Sequence, residues 1–126
     1  MENKSIIKDK SLSFAIRIIR LYKYLNSKNE YILAKQVLRS GTSIGANVSE
    51  ALCGISRKDF LSKMYIAYKE AVETLYWIEL LYKTDYIDNK EYMSINKEAN
   101  EIYRILSSIT KTTKTTPHSS LLTRNS

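Results

Sequence analysis

The chain has 126 residues and a formal net charge of +7, with one cysteine, one proline and three glycines. That length suits one domain able to bury a core without disulfide or metal staples, and so few turn-forming residues exclude a fold of many short strands. Cys53 alone cannot close an internal disulfide, no CxxC or histidine-rich tract offers a metal site, and no apolar run reaches the roughly 18 residues that cross a bilayer.

The opening MENKSIIKDKSLSF lacks the continuous apolar stretch of a secretory signal, so a soluble, cytoplasmic protein without membrane contact is expected. The basic excess sits at the ends. Residues 1–29 carry seven Lys/Arg against two acids, residues 111–126 carry three against none, and the middle sums to −1. Such a balance favours an anionic partner, nucleic acid before membrane.

After an extension of residues 1–8, periodicity predicts a first helix over residues 9–26. Leu12, Ala15, Ile19 and Tyr22 form one apolar row and Phe14, Ile18, Leu21 and Leu25 an adjacent one, together covering about half the circumference. Lys10, Arg17, Arg20 and Lys23 take the remaining arc, a candidate surface for phosphates.

The second helix, predicted over residues 31–52, contains RSGTSIGANVSE, a stretch a helix interior tolerates poorly. On a helical wheel Leu33, Ala34, Val37, Leu38, Ile44, Val48, Ala51 and Leu52 nevertheless cluster, with Gly41 and Gly45 inside their arc. Each mid-helix glycine costs about 0.8 to 1 kcal/mol relative to alanine. Close approach of a neighbouring helix offsets that, so the pair reads as a packing notch; without a following Lys-Ser/Thr it is not a phosphate loop. Arg39, Ser43, Asn47 and Glu50 line the opposite side, either as a solvated face or as the lining of a subunit boundary or central channel.

Gly54 ends this helix, and Ser56 with Asp59 resembles a capping box opening the third, residues 57–84. Its core row is Phe60, Leu61, Met64, Ala67, Tyr68, Ala71, Val72, Leu75, Ile78 and Tyr82. Ile66, Trp77, Leu80 and Leu81 form a second apolar patch among Lys63, Glu70 and Glu73, which is a subunit contact unless Trp77 merely wraps the bundle edge. Asp88 and Glu91 open a fourth helix over residues 89–109, carrying Tyr92, Ile95, Ala99, Ile102, Ile105, Leu106 and Ile109. Residues 111–126, with Lys111, Lys114 and the only histidine, His118, read as a flexible basic tail. The sum is an all-α, up-down-up-down antiparallel four-helix bundle over residues 9–110.

Catalysis has little to work with. His118 falls in the tail, Cys53 lacks a base and reads as a small packing residue, and Glu70 with Glu73 among lysines reads as ordinary ion pairing. No enzyme activity and no cofactor are expected.

The blocks KSLSFAIRIIRLYKYL, LRSGTSIGANVSEA and SRKDFLSKMYIAYKEAVETLYWIELL, in that order, resemble the four helix bundle proteins related to the protein encoded within intervening sequences of bacterial 23S ribosomal RNA genes. The resemblance implies a ring-like homopentamer. It extends to the accessory protein of diversity-generating retroelements, which works with a reverse transcriptase and nucleic acid. It marks Arg39, Ser40, Gly41, Ser43, Gly45, Asn47 and Glu50, then Phe60, Lys63, Glu70, Glu73 and Trp77, with no catalytic role. The expected function is a homo-oligomer binding RNA or DNA weakly and without sequence preference through Lys10, Arg17, Arg20, Lys23, Lys111 and Lys114. The alternative is a scaffold or accessory subunit docking a partner protein. Arg39, Ser43, Asn47, Glu50, Ile66, Glu70, Glu73, Trp77 and Leu81 are the expected interface or channel residues.

Overall fold

The computed structural model describes residues 2–114. They form four helices: α1 (Glu2–Ser27), α2 (Ile32–Leu52), α3 (Arg57–Lys83) and α4 (Asn89–Lys114). Each helix packs on the next, and α4 closes the circle on α1; among the described residues the backbones of diagonal helices stay apart, and Lys4 of α1 reaches over the Phe60 ring of α3 at 4.7 Å. Pairs such as Ser40–Thr74 and Glu50–Lys63 between α2 and α3, or Tyr68–Tyr103 and Tyr82–Tyr92 between α3 and α4, run in opposite residue order. Neighbours are therefore antiparallel, and the bundle is up-down-up-down.

Two expected limits move outward. Helix α1 starts at Glu2 and its Ile7 is fully buried, so residues 2–8 belong to the bundle and are not a separate extension. Helix α4 continues to Lys114, so the first residues of the expected tail are helical, while residues 115–126, His118 among them, lie outside the described residues.

The caps follow from the turn residues. Ser56 Oγ accepts the Asp59 N–H at 3.0 Å, and Asp88 Oδ1 accepts the Glu91 N–H at 2.8 Å. Helices α1 and α3 end in the same way. Asn29 (φ 64°) and Asp85 (φ 69°) take the left-handed conformation, and the next residues, Glu30 and Tyr86, donate back to the Leu25 and Leu81 carbonyls at 3.0 and 2.9 Å. Helix α2 stops at Leu52, with Cys53 as its C-cap and Gly54 beyond.

Ile7, Phe14, Ile18, Leu21 and Leu25 supply the core from α1. The second expected row of α1 is half wrong: Ala15 and Tyr22 are half-buried, but Leu12 and Ile19 are exposed. They turn away because α1 packs lengthwise along two neighbours, α2 and α4, and the arc opposite its core contacts faces solvent. Val72 on α3 is exposed for the same reason.

The glycine stretch is one unbroken helix. A Cβ on Gly41 would lie 2.8 Å from Ile18 Cγ1 and 2.9 Å from Cγ2, and one on Gly45 would lie 3.3 Å from the backbone oxygen of Ser11. Helix α1 is thus the neighbour the notch admits. Ser40 is buried beside it and hydrogen-bonded at 2.9 Å to Thr74 of α3, a polar core pair that the apolar pattern does not signal.

Gly41→Ala should gain about 1 kcal/mol of helix propensity yet lose about 1 to 3 kcal/mol to overpacking against Ile18. Urea denaturation is expected to show net destabilisation, removed in an Ile18→Ala background; a stabilised single variant would mean that α1 yields freely.

Candidate functional site

The polar residues of α2 and α3 meet inside one protomer. Arg39 places Nη1 3.3 Å from Glu70 Oε1 and pairs through Nη2 with Glu73, whose Oε2 also accepts the Trp77 indole N–H at 2.9 Å. One turn of α3 thus presents two carboxylates to one guanidinium, and the next turn supplies the indole. The Trp77 hydrogen bond, then that from Arg39, holds the Glu73 carboxyl below its ordinary value of 4.5. Further along, Lys63 Nζ lies 2.9 Å from Glu50, while Asn47 Nδ2 donates to the Ser43 carbonyl at 2.9 Å.

On the other side of the bundle, α1 and α4 are joined by charge. Arg17 Nη1 contacts Glu98 at 2.7 Å and its Nη2 contacts Glu91 at 3.2 Å; Lys10 lies 3.6 Å from Glu101. Burial disfavours the Arg17 charge, but the hydrogen bond it donates to Glu98 and the field of Glu91 outweigh that and raise its pKa. Below these pairs the seam opens into a groove of about 1040 Å³ between Ile16, Arg17, Arg20 and Tyr24 of α1 and residues 85–88 of the α3–α4 turn.

Helix α4 therefore divides its charges. Its acids Glu91, Glu98 and Glu101 face α1 and are paired. Its bases Lys90, Lys97, Arg104 and Lys111 recur every seven residues, all are exposed, and none has an ion-pair partner among the described residues. At 1.5 Å per residue this row extends over about 30 Å. Beside it the α3–α4 seam is roofed by tyrosines, Tyr68 on Tyr103 at 5.6 Å and Tyr82 on Tyr92 at 4.2 Å between ring centroids. The neighbouring Tyr103 hydroxyl, then burial, pushes the Tyr68 phenol above its usual pKa.

The expected nucleic-acid residues consequently separate. Lys10 and Arg17 are engaged by α4 carboxylates, Arg20, Lys23 and Lys111 are exposed, and the side chain of Lys114 lies outside the described residues. The interface set also divides. Arg39, Glu70, Glu73 and Trp77 converge within the protomer, Glu50 pairs separately with Lys63, Ile66 is exposed, Ser43 and Asn47 are half-buried, and Leu81 is fully buried. Leu81 is thus core, not interface or channel lining: fifteen residues past Ile66, at 100° per residue, it has rotated about 60° off that row. Cys53, expected to pack, is exposed. The α4 row was missed although its signal, a base every seventh residue, is legible in the sequence.

A carboxyl whose folded pKa is depressed contributes stability fully above its unfolded value, and the contribution is lost as pH falls through the lower folded value. Thermal melting of the native chain should therefore weaken below about pH 4.5 partly through Glu73. Glu73→Gln, which keeps an acceptor for Trp77, should flatten that slope; an unchanged slope would assign it to other carboxylates.

No helix among the described residues is long and apolar enough to cross a membrane, and none of their His, Cys, Asp and Glu side chains group as a metal site. Comparison with curated proteins finds no match. Among solved structures, the chain is similar to a Bacteroides thetaiotaomicron VPI-5482 protein of unknown function from the S23 ribosomal protein family. The two share 54% identity, covering 86% of this chain and 98% of that one, with a TM-score of 0.84. The sequence profile of the 23S rRNA-intervening sequence proteins matches residues 3–108. The chain belongs to the 23S rRNA-intervening sequence protein family.

Proposed function

We propose that this chain is a non-enzymatic, self-associating four-helix bundle that binds nucleic acid weakly and without sequence preference. The observation that carries the reading is the exposed row Lys90, Lys97, Arg104 and Lys111, without an ion-pair partner among the described residues while the acids of the same helix are held by α1. Evenly spaced cations on a straight rod match a polyanion by charge and length and read no base edge, so affinity comes from counterion release. Arg20 and Lys23 of α1 add further exposed charge.

Self-association is supported by the second apolar face of α1. Leu12 (63% exposed), Ile16 and Ile19 fall on one side, about opposite Phe14, Ile18 and Leu21. A helix of a monomeric bundle needs only one apolar face. In the ring-like homopentamer that the family resemblance implies, each face of this kind would be covered and the +7 of one chain repeated fivefold. The same apolar row also suits the alternative, a scaffold docking a partner protein such as a reverse transcriptase.

Filter binding against salt should give a steep negative slope of log affinity on log salt. Lys97→Glu with Arg104→Glu should weaken binding of every sequence alike by about tenfold or more and lower the slope by about 2; a salt-insensitive affinity, or a double variant that binds as before, would overturn the reading. By light scattering, Ile16→Glu should reduce the mass of the assembly with helical circular dichroism retained. A monomeric parent would leave the apolar row to a partner protein.

A further inference from the structure

On α3, Tyr65, Lys69, Val72 and Tyr76 follow the helical repeat, and all four are exposed, Tyr65 by 42% and Tyr76 by 58%. Tyr65 stacks on Tyr68 at 6.0 Å and 26°, and Tyr68 on Tyr103 at 5.6 Å and 25°. Three near-parallel rings thus climb from the half-buried seam to the surface. Cations flank the column: Lys69 Nζ lies 5.9 Å from the Tyr65 centroid, and Arg104 follows Tyr103 on the exposed α4 row.

We propose that this column, Tyr103–Tyr68–Tyr65, is a stacking platform for unpaired bases, and that the α3–α4 face binds single-stranded nucleic acid in preference to duplex. This deepens the nucleic-acid reading above and rests on it. A rail of cations alone does not distinguish the two forms, since both offer phosphates. Aromatic rings do, because a duplex hides its base faces in its own stack while a single strand exposes them, and every base has such a face, so the preference carries no sequence requirement. With Lys69 and Arg104 holding the backbone on either side, the base between them meets Tyr65. Tyr76, further along the same row and set edge-on to Trp77 at 5.0 Å, offers a second exposed ring.

Fluorescence anisotropy on the full chain, at one salt concentration, would compare oligo(U), oligo(dT) and an RNA duplex of about 20 nucleotides each. Both single strands are expected to bind about tenfold more tightly than duplex, oligo(U) against oligo(dT) reporting any sugar preference. Tyr65→Ala should remove most of that advantage and leave duplex binding unchanged, whereas Tyr65→Phe, which keeps the ring, should retain it. Photocrosslinking of 5-iodouridine strands to the native chain should label Tyr65, a readout independent of how any variant folds. Equal binding of single strand and duplex with no label at Tyr65 overturns the platform and leaves the basic row standing; binding of neither overturns both.

Discussion

The fold depends on how near α1 comes to α2. At Gly41 the Ile18 side chain occupies space any other residue would fill, and at Gly45 the approach is to the Ser11 backbone itself. Two glycines inside a helix give up about 2 kcal/mol of intrinsic helix preference, a loss that α2 recovers by burying Gly41 and its neighbours Ser40 and Ile44 against adjacent helices. The approach has a consequence on the far side. A helix drawn deep against one neighbour stands off from the other, and the α1–α4 seam is the most open of the four, with the groove along it and ion pairs spanning it.

Those ion pairs matter for direction more than for strength. Exposed pairs such as Lys10–Glu101 contribute at most about 1 kcal/mol each. Yet Arg17 reaching both Glu91 and Glu98, and Arg39 reaching both Glu70 and Glu73, fix how far each helix slides and turns against its partner. They also redistribute charge. Along the sequence the positive excess lies at the ends; in space α4 neutralises two cations of α1 and is left with its own bases turned outward. The electrostatic surface is thus a product of pairing, not of composition.

That distinction explains what the sequence makes legible. Helix number, order and the unbroken glycine stretch follow from local periodicity and cap residues such as Ser56 and Asp88, which the fold uses as expected. The dominant core of each helix follows too. Less legible is which of two apolar arcs faces inward: Leu12 and Phe14 look alike in composition, and only the position of neighbours separates them. The polar stripe of α2 shows the same limit. Arg39 and Glu50 read equally as interface residues until α3 supplies Glu70, Glu73 and Lys63 from the same protomer. Ser40 and Thr74, buried together, are invisible to an apolar pattern because each satisfies the other. The tyrosine column joins rings from two helices, so no single stretch of sequence contains it.

The two surfaces left over occupy different corners of the bundle. Helices α1 and α3 are diagonal, their backbones apart although Lys4 reaches over the Phe60 ring, so the outer row of α1 points away from the row of Tyr65, Lys69 and Tyr76 on α3. Self-association through α1 would therefore bury the apolar face without covering the α3–α4 face. Copies joined in that way would hold several basic rails outward at fixed spacing, and a strand released by one rail would remain within reach of the next. Weak single contacts then act as one longer-lived attachment, since the second contact is made at a high local concentration. A bundle with one apolar corner and a basic, aromatic-lined face suits that arrangement.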